Sequence, residues 1–271
     1  MRSLFRSSLV LACSLVVASC ESPFSTSPAA PDSPEPGSVA FQAGGFPIDV
    51  RFVGDVPADV RDAAQAAATR WMRVVVGPAN PIDVDQSAAP CAFAPVLKER
   101  VRGVVIFVRM SAADSLATAG ANGGACGVRS NSLISYEGVI TVSTPGLANS
   151  RAANYLGTIL LHEMGHVLGI GTNWFASPYL HDAKGSNPTF AGPNAMQAAF
   201  DVGISTSAAT PVPISRPGES GAFTHWRTPN VGNDIMLSGG GTALTVVSAG
   251  ALRDLGYTVS LAAVDRYDAA H

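Results

Sequence analysis

Residues 48–53, Ile-Asp-Val-Arg-Phe-Val, alternate apolar and polar side chains, the period of a half-buried strand. A helix should follow: Pro57-Ala58-Asp59 starts it, Val60, Ala64, Ala67, Trp71 and Val75 recur at helical spacing, and Gly77-Pro78 stops it. Residues 104–108 are a run of β-branched and aromatic side chains that predicts a central strand, and 139–142 reads as a shorter one. Between them, the Gly-, Ala- and Asn-rich stretch 111–131 predicts a loop.

The next periodic segment, 154–168, predicts a helix whose apolar positions are Leu156, Ile159, Leu160, Met164, Val167 and Leu168. They leave one stripe for His162, Glu163 and His166, and Gly169 stands where a helix C-cap belongs. Residues 171–241 are dominated by turn formers apart from a helical patch over 194–200. A last helix, 245–255, has Thr245 in the N-cap position and ends at Gly256. Without an internal repeat or a second linker, the pattern predicts one α+β domain over 41–271. Its N-terminal lobe, about 41–170, holds a twisted sheet with helices, and its C-terminal lobe, about 171–260, is rich in loops.

The first forty residues follow a different rule. Arg2 and Arg6 precede an apolar run over 9–17 that is too short to span a bilayer core of about 30 Å, so 1–19 reads as a signal peptide. Val17-Ala18-Ser19-Cys20 resembles the lipobox of bacterial lipoproteins, which implies cleavage before Cys20 and lipidation of that cysteine. Acyl chains would then anchor the protein to a membrane of the bacterial cell envelope, on an extracytoplasmic side. An ordinary secretory signal or an uncleaved anchor is the alternative. Residues 20–40, with prolines at 23, 28, 31, 34 and 36, carry no large aliphatic side chain beyond Val39 and read as a tether.

Composition narrows the function. Only 14% of residues are charged and the net charge is -3, so the basic surface that phosphate binding needs is missing and no nucleic-acid partner is expected. Of four cysteines, Cys13 leaves with the signal and Cys20 takes the lipid. Cys91 and Cys126 remain, and one disulfide is the simple count for an extracytoplasmic domain. Two free thiols, or one thiol capping a metal in a latent form, are the alternatives.

His162-Glu163-Met164-Gly165-His166 is H-E-x-x-H within a helix. Residues four apart share a face, so both imidazoles can reach one cation while Glu163 lies beside it, toward a bound water. That donor set suits one catalytic Zn²⁺. Two core histidines beside a surface glutamate would be the uneventful explanation, but such a burial is costly without a partner. Two histidines do not complete a zinc site. The residue three beyond Gly169 is Thr172, a poor zinc ligand, so the third must come from further along, where His181, His225 and His271 remain.

Three segments together, HEMGHVLGIGTNW (162–174), THWRTPNVGNDIMLSGG (224–240) and LTVVSAGALRDLGYTV (244–259), resemble the leishmanolysin-like zinc metallopeptidases, particularly their bacterial members. FPIDVRFVGDVP (46–57), the helix around Arg70-Trp71 and GACGVRS (124–130) extend the likeness over nearly the whole folded part. It implies a metzincin-like fold, a third zinc ligand at His225 and a turn methionine beneath the metal at Met236. It further implies a monomeric zinc metalloendopeptidase acting on protein or peptide substrates, with Glu163 as general base. One departure is Ser238, where some other metzincins carry a tyrosine near the metal. His181 remains a weaker candidate for the third ligand. A surface binding protein with a structural metal, or a zinc hydrolase of cell-wall peptides, are the rival functions.

Overall fold

In the computed structural model, which describes residues 45–112, 120–228, 230–238 and 240–269, the alternating segment forms β1 (Ile48–Val53) and buries every second side chain. Helix α1 (Ala58–Val74) packs behind it through Val60, Ala64, Ala67, Ala68, Trp71 and Val74. Val75 leaves the helix to make a bridge with Val259. The signal peptide 1–19, Cys20, the tether 20–40 and His271 lie outside the described residues.

A short hairpin follows, β2 (Ile82–Asp85) with β3 (Lys98–Val101), and then the long buried β4 (Val104–Ser111). Next come β5 (Ala121–Val128) and β6 (Ser135–Ser143). The main sheet runs in the order β1-β4-β6-β5; its first three strands are parallel and β5 is antiparallel at the edge.

Strand β5 corrects the expectation of a loop over 111–131. Its sequence, Ala-Asn-Gly-Gly-Ala-Cys-Gly-Val, has little strand propensity of its own, and pairing with β6 overrides it. The glycines serve close approach: a Cβ on Gly123 would lie 2.7 Å from the carbonyl oxygen of Glu163 on the helix beneath. Cys91 and Cys126 sit at disulfide distance, with Cα atoms 5.4 Å apart, and tie the segment between β2 and β3 to this edge strand.

The sheet has a core on each face. On one, α1 and α3 (Leu156–Val167) pack against β1, β4 and β6. On the other, the hairpin closes a smaller cluster of Val84, Ala94, Leu97, Val101, Val105 and Phe107. Helix α2 (Thr144–Ala152), absent from the sequence-based expectation, precedes α3; the Ser143 side chain caps it by accepting from the Gly146 N–H, with Pro145 in its first turn.

Beyond α3 the chain forms the small antiparallel sheet β7 (Leu180–His181), β8 (Thr189–Phe190) and β9 (Val212–Pro213), with α4 (Pro193–Asp201) inserted. The last helix, α5 (Val246–Asp254), starts where expected, Thr245 accepting the Val247 N–H. Trp174, Phe190 and Trp226 stack at centroid distances of 4.7 to 5.9 Å and fill the core of this part. Among the described residues there are five α-helices and three sheets, a mixed fold compatible with the α+β class. No helix among them is long and apolar enough to cross a membrane.

Candidate metal centre

Helix α3 is fixed on its inner side by Leu160, Met164 and Val167, all fully buried, and by the Trp71 indole N–H, which donates to the Leu161 carbonyl at 2.8 Å. That orientation turns His162 and His166 out of the core on one face. The helix ends in a Schellman turn: Gly169 N–H donates to His166 O and Ile170 N–H to Gly165 O, both at 3.0 Å, with Gly169 at φ 111°. The turn places the Ile170 carbonyl against His166 Nδ1 at 2.8 Å. Thr172 donates its hydroxyl to the His166 carbonyl at 2.6 Å, so this side chain is committed to the backbone, as its poor fit as a ligand suggests.

His225 arrives from the C-terminal part. Ser215 pairs with Phe223 and His225 through the backbone, and Gly221, at φ 60°, makes the turn between them. A Cβ on Gly221 would lie 2.0 Å from His225 Nδ1, so the imidazole packs where only glycine leaves room. The Gly221 carbonyl lies 3.0 Å from that nitrogen.

The three rings converge through Nε2. His162 and His225 stand 3.0 Å apart, and His166 is 3.1 Å from each of them. His162 Nδ1 donates to Ile235 O at 2.6 Å, His166 Nδ1 to Ile170 O and His225 Nδ1 to Gly221 O. A carbonyl oxygen can only accept, so each Nδ1 carries the proton and each Nε2 presents a lone pair to the common centre. Three lone pairs so close repel one another, an arrangement favourable only around a cation. Nitrogens bound at about 2.0–2.1 Å to one ion sit roughly 3.0–3.4 Å apart, so the spacing fits a metal ion. Among the described residues the group comprises these three side chains.

Burial holds all three imidazoles in the neutral form that binds metal. Desolvation pulls His162 down to about 4, His166 well below its ordinary 6.5, and His225 down as well. Glu163 is pushed the other way, up to about 7, by burial, with a Gly123 backbone hydrogen bond pulling it back toward the ionised form. Its carboxyl lies between α3 and the edge strand β5.

Met236 lies in a buried turn against α3, next to Ile235, whose carbonyl receives His162 Nδ1–H. A Cβ on Gly165 would meet its Sδ at 2.4 Å, which shows how tightly the sulfur packs against α3. The structure therefore brings together His162, Glu163, His166, His225 and Met236. His181 is on the exposed end of β7 and takes no part in the cluster.

Sequence reasoning missed the backbone carbonyls of Ile170, Gly221 and Ile235, which carry no side-chain signal. It also missed Asp234, whose one visible sign is a lone acid before the apolar Ile235-Met236-Leu237. The chain matches no family model and finds no match among curated proteins.

Proposed function

We propose that the protein is a zinc-dependent endopeptidase of the leishmanolysin-like, metzincin type, lipid-anchored through Cys20 on an extracytoplasmic face of a bacterial envelope. The observation that carries this is the convergence of three imidazoles, with Nε2 atoms 3.0 to 3.1 Å apart, at a helix that also presents the buried Glu163. Imidazole donors favour zinc among common hydrolytic metals, and three protein ligands are the arrangement of a catalytic site that keeps a position for water. A purely structural site has no use for a carboxyl such as Glu163 at its side.

Zinc bound there would supply an acidified water and a Lewis acid for the scissile carbonyl. Glu163, next to His162 in sequence and buried against β5, would take the proton from that water and return it to the leaving amine. The Gly123 N–H holds the carboxyl in place between helix and strand. Strand β5 sits at the sheet edge next to Glu163, and an extended peptide can add to such an edge by backbone pairing. Main-chain recognition of this kind favours peptide substrates with little dependence on their side chains.

The test pairs zinc analysis with digestion of unfolded casein. Wild type and Glu163→Gln should each hold one zinc, and the variant should lose about 10²- to 10⁴-fold in hydrolysis. Unchanged turnover by Glu163→Gln would overturn the proposal.

A further inference from the structure

Asp234 is fully buried, and the chemistry above does not use it. Its Oδ1 accepts the Met236 N–H at 2.8 Å and the Ser248 hydroxyl at 2.6 Å, and its Oδ2 accepts the Thr245 hydroxyl. Ser248 Oγ also accepts the Trp226 indole N–H at 3.0 Å, so the carboxylate reaches, through one hydroxyl, the residue after His225. Trp226 is bound a second time to this turn, its backbone N–H donating to the Met236 carbonyl. Ile235, next to Asp234, offers the carbonyl that receives His162 Nδ1–H. One carboxylate thus joins the Met236 turn, the start of α5 and the segment that delivers His225.

Such a group is expensive to bury for stability alone, because its donors, which also include the Ser248 backbone N–H, are all neutral and an apolar side chain would avoid the desolvation. Its placement makes sense as support for a buried dication held by three neutral ligands. Groups that orient metal ligands from outside the coordination shell raise affinity by 10- to 100-fold when present.

We propose that Asp234 is a positioning residue of the three-histidine centre, its carboxylate holding the Ile235 carbonyl, Met236 and the segment that carries His225 in the register that binds a divalent cation. This rests on the metal-site reading given above.

The experiment measures zinc affinity by competition with a chromophoric chelator, and the visible spectrum of the cobalt(II)-loaded protein, in wild type, Asp234→Asn and Ser248→Ala. Asparagine keeps the volume and the Oδ1 acceptor but removes the charge. Asp234→Asn is expected to bind zinc roughly 10- to 100-fold more weakly, with shifted cobalt bands, at temperatures where it is fully folded. A variant that loses only thermal stability, while keeping wild-type affinity and bands, overturns the inference. Should Asp234→Asn fail to fold, Ser248→Ala leaves the carboxylate and cuts its link to Trp226. About tenfold weaker zinc is then expected, and wild-type affinity contradicts the proposal. Absence of zinc binding by wild type is a different outcome, which removes the proposed function and this role together.

Discussion

The Nε2 atoms of His162 and His225 stand 3.0 Å apart although the residues are 63 positions apart in the chain. The first is fixed by a helix and the second by a glycine turn in the loop-rich part, so the centre exists only when both parts are folded together. That dependence gives the account its sharpest mutational contrast. His225→Ala should lose stoichiometric zinc, while His181→Ala, at an exposed strand end, should keep it. Elemental analysis of the two purified variants decides the point, and retention of zinc by His225→Ala with loss by His181→Ala would reverse the assignment.

Gly123 offers a second test because it joins the edge strand to the proposed base. Alanine there would bring a Cβ to 2.7 Å from the Glu163 carbonyl oxygen, a backbone atom that cannot swing aside. Strand and carboxyl must separate, and a displacement on the order of 1 Å can cost about 10²-fold in rate. Gly123→Ala should therefore keep zinc and lose roughly two orders of magnitude in kcat/KM on an unfolded protein; wild-type kinetics would show that β5 does not set the carboxyl.

The buried ionisable groups predict a pH dependence of stability in chelator-treated protein. The three histidines bind protons less well folded than unfolded, their pKa values being depressed, to about 4 for His162. Their contribution is complete above 6.5 and is lost as pH falls from there toward 4. Glu163 has the opposite sign: raised to about 7, it favours the folded state below its ordinary 4.5 and loses that contribution as pH rises to 7. Three groups outweigh one, so the thermal midpoint should drop on acidification from pH 6.5 to 4. A flat or rising midpoint across that window would contradict the burial of the imidazoles. In zinc-loaded protein the drop should be steeper, since protons also displace the metal.

Much of this was legible in the sequence because it depends on local periodicity. The alternation of 48–53, the helical stripes of α1 and α3, and the Thr245 cap of α5 each follow from a few neighbouring residues, and the structure reproduces them. The H-E-x-x-H spacing likewise places two imidazoles on one helical face with no help from the rest of the fold. Strand β5 was illegible because Gly123 is there for what it approaches, the Glu163 backbone on α3, and a contact partner 40 positions away leaves no local period. Helix α2 carried a readable start in Ser143-Thr144-Pro145, but its apolar stripe is weak, with only Gly146, Leu147 and Ser150 buried. The pairing of His225 with Met236 could be inferred by resemblance alone, since nothing in the spacing of 166 and 225 dictates that the chain returns. The three carbonyls that fix the imidazole tautomers belong to turns, and only coordinates reveal which oxygen faces which nitrogen.

The most direct test of the central claim is hydrolysis of an unfolded protein substrate by the purified protein before chelation, after removal of metal, and after adding back one equivalent of zinc. Cleavage by wild type should be abolished by chelation and restored by zinc. Cleavage that persists undiminished in protein shown to contain no metal would contradict it.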